Sequence, residues 1–173
     1  TLKPTNTAAF VTGQASSGFA KIAQSMRDRG IHPRDAAHFL MKSLFCLFAE
    51  DIGLLPEKVF ERIVRNAKWE PARLAKSMRT LFATMRDGGD FGADNIPWFN
   101  GGLFEDDLVI ELTETELKDL TEASNLNWSQ VEPSIFGTLF ERSLDPEQRA
   151  QLGAHYTSRD DIMLIVEPVV LRP

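Results

Sequence analysis

The stretch Gly153-Ala154-His155-Tyr156-Thr157-Ser158 sets a glycine, an aromatic ring and two hydroxyls ahead of the apolar residues Ile162, Met163, Ile165 and Val166. Thr157 or Ser158 is placed to cap a helix there. A helix start carries unpaired backbone N–H groups and the positive end of the helix dipole, which together suit a carboxylate. Tyr156 adds an aromatic face on which a positive centre can pack. An ordinary helix cap, with Tyr156 filling the core, uses the same residues, and both readings remain open at this point. A second constellation is cationic: Lys58, Arg62 and Arg65 fall at i, i+4 and i+7, one stripe of a helix. Such a stripe either tracks phosphates or is plain solvated charge.

Other motifs are decoys. Asp90-Phe91-Gly92 spells the metal-binding triplet of protein kinases, but no glycine-rich phosphate loop or His-Arg-Asp stretch accompanies it. A glycine-rich loop is the expectation. Asn95-Ile96-Pro97-Trp98 approximates the Asn-Pro-Pro-Tyr type of tetrapeptide that accepts hydrogen bonds from an amino group while a ring stacks on a flipped base. No hydrophobic strand precedes it, so Trp98 and Phe99 are expected to anchor a loop on the helices. His32, His38 and His155 show no metal spacing with Cys46 or with carboxylates. Glu50-Asp51, at a helix end, reads as surface or structural. No catalytic set assembles from these residues.

The elements that position them are helical. Phe10, Val11, Phe19, Ile22, Ala23 and Met26 support a first helix with Gly30 just past its end. His32-Pro33 opens a second, apolar almost all round from Ala36 to Phe48, which places it centrally and makes Phe45 and Phe48 core residues. Gly53 stops it. Pro56 is expected to begin a third helix, with Val59, Phe60, Ile63 and Val64 inward. A fourth runs from Pro71 to Arg86 on Leu74, Met78, Leu81, Phe82 and Met85. Glycines and Pro97 punctuate residues 87–107, with a tight hairpin turn expected at Asn100-Gly101-Gly102 and a short strand at Leu108-Val109-Ile110. Thr113-x-x-Glu116 is a capping box opening an acidic helix to about Ser124. Trp128 begins another helix, with Ile135, Phe136, Leu139 and Phe140 inward; Asp145-Pro146-x-Gln148 opens a short one. The fold class expected is mostly all-α: an irregular helical bundle with one short β-hairpin or loop excursion near 96–112.

Composition supports a packed core, since 43% of the 173 residues are hydrophobic and twelve are Phe. No apolar run reaches bilayer length and no signal peptide opens the sequence, so a cytoplasmic protein with no membrane partner is expected. The net charge of −6 argues against a free-standing nucleic-acid binder. The average conceals segregation: residues 58–86 carry eight basic side chains against two acids, and residues 105–122 carry eight acids against one lysine. The sequence begins without Met and stops inside the apolar run Val169-Val170-Leu171-Arg172-Pro173, so a piece of a longer protein is expected.

Three separated stretches occur in order: Ser134-Ile135-Phe136-Gly137-Thr138-Leu139-Phe140-Glu141-Arg142-Ser143-Leu144, Gly153 to Ser158, and Ile165-Val166-x-Pro168-Val169. Together they resemble the junction between helical spacer and methyltransferase domain in MmeI-like (type IIL/IIG) single-chain restriction–modification enzymes. The Gly-x-x-Tyr-Thr-Ser…Ile-Val pattern is similar to motif X of γ-class N6-adenine DNA methyltransferases. Leu44-Phe45-Cys46-Leu47-Phe48-Ala49-Glu50-Asp51 and Phe99-Asn100-Gly101-Gly102-Leu103-Phe104 are similar to that family's spacer.

The resemblance implies a helical spacer over residues 1–132, and over residues 133–173 the junction and leading edge of a methyltransferase domain. It implies a parent that binds S-adenosyl-L-methionine and methylates adenine in duplex DNA, with neighbouring methyltransferase and possible nuclease domains as partners in the same chain. Gly153, His155, Tyr156, Thr157 and Ser158 then become the first cofactor-contacting segment, and Lys58, Arg62 and Arg65 the DNA-contact candidates. The Phe-x-Gly-x-Gly cofactor loop and a convincing catalytic tetrapeptide are missing from these 173 residues, which are therefore expected to be inactive alone. A helical protein-interaction module without any methyltransferase link is the alternative.

Overall fold

The computed structural model describes residues 8–99 and 102–132. Five helices carry it: α1 (Ala8–Asp28), α2 (Pro33–Asp51), α3 (Val59–Asn66), α4 (Pro71–Asp87) and α5 (Glu114–Ser124). A two-stranded antiparallel hairpin, β1 (Gly89–Phe91) with β2 (Asp94–Ile96), and 3-10 turns at Gly102–Phe104 and Trp128–Gln130 complete it. The mostly all-α expectation holds. No helix among the described residues is long and apolar enough to cross a membrane.

Local chemistry sets most boundaries. Gly30, at φ 83°, and Gly53, at φ 78°, take the left-handed conformation that ends α1 and α2. Past them the Ile31 N–H returns to the Met26 carbonyl at 2.9 Å, and the Leu54 N–H to that of Ala49 at 2.8 Å. Pro33 fills the first turn of α2 and Pro71 that of α4, where a missing N–H leaves no bond unmade. Thr113 and Glu116 form both bonds of the expected capping box on α5.

The α4 row, Leu74, Met78, Leu81, Phe82 and Met85, is buried as its spacing requires. One core joins it to Phe19, Ile22 and Met26 of α1, Phe39, Leu44 and Leu47 of α2, Phe60 of α3, Leu117 and Leu120 of α5, and Trp128. Trp128 meets the Phe19 ring edge-on at 5.8 Å and donates its indole N–H to the Ala123 carbonyl at 2.9 Å. That satisfied N–H lets a large ring sit in the core.

Four expectations are corrected. The hairpin lies at Gly89–Ile96; Leu103-Phe104, just past the expected turn, sits in a 3-10 turn rather than a strand, and Asn100 and Gly101 themselves lie outside the described residues. Gly92, at φ 63°, opens the hairpin's two-residue loop, the position where such a turn favours glycine. The Phe99 N–H is bonded instead to the Met85 carbonyl at 2.9 Å, which ties the following segment to α4. Leu108-Val109-Ile110 pairs with no strand among the described residues; it runs over the core and buries Val109. Helix α3 begins at Val59 rather than Pro56, because Lys58 is left-handed at φ 55° and cannot continue a helix backward. Phe45 and Phe48 are only partly buried against the core, while Phe39 and Leu44 of the same helix are fully buried. The helix from Trp128 onward and the one from Asp145 lie, beyond the 3-10 turn, outside the described residues.

Candidate functional site

The expected cofactor segment, Gly153, His155, Tyr156, Thr157 and Ser158, lies outside the described residues. Two open grooves mark the described surface. One runs along α4 and the hairpin start, lined by Arg79, Thr80, Ala83, Thr84, Asp87, Gly88 and Asp90. The other lies between α1 and α5, with Gln14, Ser17, Lys21, Asp119 and Glu122 on its walls. Neither offers an aromatic face for a nucleoside or a sulfonium.

The cationic stripe on α3 has carboxylate partners. Lys58 Nζ donates to Asp51 Oδ1 at 2.6 Å and lies 3.2 Å from Glu61 Oε2. Burial pulls its pKa down, and the bonds to Asp51 and Glu61 more than offset that, so it ends above the ordinary lysine value. Arg62 is paired with Asp94 of β2, and Arg65 with Glu61 one turn back. The three side chains remain substantially exposed, but their charge is matched inside the molecule.

Two acids at the end of α2 organise this region. The Glu50 carboxylate is buried, and its Oε2 accepts the N–H groups of Phe60 at 2.7 Å and Glu61 at 3.3 Å. Burial pushes its pKa up to about 7, even though those two N–H bonds and Lys58 pull the other way. Asp51 accepts from Lys58 on one oxygen and from the Trp128 N–H, at 2.7 Å, on the other. Glu50-Asp51 is thus structural, as expected from sequence, but buried.

A third cluster lies on the other side of α2. Lys42 is fully buried, donates to the Asp106 carbonyl at 2.7 Å and to its carboxylate at 2.5 Å, and lies 5.4 Å from the Phe82 ring centre. His38 Nε2 sits 2.9 Å from the second Asp106 oxygen. Burial opposes ionisation of Asp106, but Lys42, the Leu108 N–H and His38 outweigh it and hold its carboxyl below the usual range. Lys42 and Asp106 pin the 102–112 segment to α2, while His38 Nε2, close to Asp106 as it is, makes no hydrogen bond among the described residues. Cys46 is buried, with its Sγ 3.6 Å from Met85 Sδ, and burial raises its pKa well above a free thiol's, so it is an inert core residue.

The decoys resolve as loop chemistry. Asp90-Phe91-Gly92 forms the end of β1 and its turn, and Asn95 donates to Asp90 Oδ1 at 3.2 Å across the hairpin. Phe99 anchors the segment as expected, edge-on to Phe45 at 5.5 Å. Trp98 does not: it is 62% exposed, a correction to the expected anchoring role. Among the described residues no group of His, Cys, Asp and Glu is placed to hold a metal.

Missed at the level of sequence were buried Lys42 with Asp106 and the capping role of Glu50. The one available signal was Lys42 itself, a charged residue inside an otherwise apolar run. The acid partners are distant in sequence and gave none.

Comparison with known proteins places this arrangement. Residues 34–104 match the family described as MmeI, helicase spacer domain. The chain is similar to DNA methyltransferase A of Bacillus subtilis (strain 168), 32% identical over 140 residues that make up 77% of this chain and 16% of that protein. Its fold is similar to the type IIL restriction–modification enzyme MmeI in complex with DNA, with a TM-score of 0.70 and 29% identity, covering 91% of this chain and 22% of that one. The chain therefore spans less than a quarter of the length of either relative.

Proposed function

We propose that the chain, whose residues 34–104 match the family described as MmeI, helicase spacer domain, is the helical spacer of a larger restriction–modification DNA methyltransferase. The observation that carries this reading is that a DNA-bound restriction–modification enzyme and a DNA methyltransferase both contain a counterpart of it. Its build suits a spacer. A continuous core runs from α1 to Trp128, and long-range anchors such as Arg29, bidentate on Glu116 at 3.0 Å, lock its ends together.

In this proposal residues 1–132 are the spacer and 133–173 the leading edge of the methyltransferase domain. The parent transfers a methyl group from S-adenosyl-L-methionine to adenine in duplex DNA. Tyr156, Thr157 and Ser158, with Gly153 and His155 shaping the approach, supply a helix-start carboxylate site and an aromatic face to the cofactor's methionine end. Lys58, Arg62 and Arg65 reach DNA by exchanging their carboxylate partners for phosphates.

Calorimetric titration of S-adenosyl-L-methionine into the full-length protein tests the cofactor role. Changing Tyr156 and Thr157 together to Ala is expected to weaken binding tenfold or more, about 1.4 kcal/mol, with the melting temperature of the ligand-free protein retained. Collapse of stability with unchanged affinity per folded molecule would make these residues structural.

A further inference from the structure

Cations without a carboxylate partner among the described residues are scattered at Lys21, Arg27, Arg34 and Lys118, but four more fall together at and just before α4. Arg29, Lys42, Lys58, Arg62, Arg65 and Arg86 each have a carboxylate partner. Arg73, Lys76 and Arg79, with Lys68 just before the helix, have none among the described residues, and all four are exposed. This concentration stands out in a chain whose net charge is −6. We infer that the outer face of α4 is a contact surface for the phosphate backbone of duplex DNA, with Arg73, Lys76 and Arg79 making the contacts.

Helix geometry puts them on one surface. At 100° per residue the three fan across about 120°, centred on Lys76, which points away from the buried row of Leu74, Met78, Leu81, Phe82 and Met85. Along the axis they span about 9 Å. Duplex DNA carries one negative charge per roughly 1.7 Å of axis, so several phosphates fall within reach. Guanidinium groups match phosphate oxygens in pairs, and an ammonium adds a point charge. Acids near this face include Glu70 at the N-cap, Asp87, which Arg86 neutralises, Asp90 beyond the helix end, and Asp107, which acts on Arg86.

The turn leading into α4 points the same way. Lys68 and Trp69 are both left-handed, at φ 49° and 65°, and both are exposed, so no burial of either side chain offsets that conformation. The turn instead presents a cation and an indole 59% exposed at the leading edge of the basic face. The paired row on α3 must break internal ion pairs before it meets phosphate; the α4 row need not.

This inference rests on the DNA-acting function proposed above. Its test is fluorescence anisotropy of a labelled 30-base-pair duplex with the full-length protein, titrated at several sodium chloride concentrations. Changing Arg73, Lys76 and Arg79 together to Ala keeps good helix formers on an exposed face. It is expected to weaken binding at least tenfold near 0.1 M salt and to make the log K against log salt slope shallower by about two to three units. The charge-conserving triple R73K, K76R and R79K should retain most of the slope, and K58A, R62A and R65A together should change it less. An unchanged slope in the α4 triple Ala variant, with wild-type protein binding normally, overturns the assignment. So does an unchanged slope accompanied by looser packing between domains, which would make the face a dock for an acidic neighbouring domain. Wild-type protein that binds no duplex at any salt removes the proposed function, and this surface with it.

Discussion

Glu50, in the last turn of α2, caps the start of α3: its carboxylate accepts the Phe60 N–H at 2.7 Å although ten residues separate them. The N-cap residue of α3, Lys58, gives no side-chain cap of its own. A neighbouring helix thus supplies what the local sequence lacks, and the junction between α2 and α3 depends on one buried acid.

The pH dependence of stability follows from that burial. The Glu50 pKa is raised from 4.5 to about 7 in the fold. A raised carboxyl binds its proton more tightly when folded, so its stabilising contribution is complete below the unfolded value and is lost as pH rises through the folded one. Urea titrations should show stability from this group falling between about pH 5 and pH 8. Glu50→Gln, which keeps an acceptor oxygen, should flatten that trend, whereas Glu50→Ala should cost about 1–3 kcal/mol by leaving buried N–H groups unmatched. An identical pH trend in the Gln variant would show that Glu50 ionisation is not coupled to folding.

Lys42 and Asp106 make an asymmetric pair, one fully buried and the other half exposed. Removing the acid strands a buried ammonium, so Asp106→Ala is expected to cost about 1–3 kcal/mol. Lys42→Met removes the charge that needs a partner and should cost less. Equal losses in chemical denaturation would mean that the aliphatic packing of Lys42, not its charge, holds the segment.

Elements whose causes are local were readable from residue order alone. The α4 row needs only the 3.6-residue period, and the box of Thr113 and Glu116 needs only a spacing of three. Elements set by distant partners were not. The start of α3 depends on Glu50, and the path after Ile96 depends on the Phe99 N–H finding Met85 rather than a strand. Among the cations, residue order places Lys58, Arg62 and Arg65 on a stripe and offers Glu61 as a local partner, but not the more distant acids that complete the match. Asp51 and Asp94 become neighbours only in the fold, and without them the α3 and α4 rows look alike.

Burial within α2 also separates residues that the pattern treats alike. Phe39 is 1% exposed, whereas Phe45 lies at the core margin against Phe99 and Phe104. Phe39→Ala should cost about 3–5 kcal/mol and Phe45→Ala nearer 2 kcal/mol. Equal costs in matched denaturant titrations would place both in the interior.

Methyl transfer to DNA decides whether this chain serves a methyltransferase. Full-length protein and the isolated 173-residue chain would each be incubated with radiolabelled S-adenosyl-L-methionine and duplex DNA, and the digested nucleosides separated. Label is expected on N6-methyladenine with the full-length protein, and background counts with the chain alone. Transfer by the chain alone that is abolished by Asn95→Ala would make the chain itself catalytic. No transfer to DNA by an intact, folded full-length protein would contradict the methyltransferase assignment.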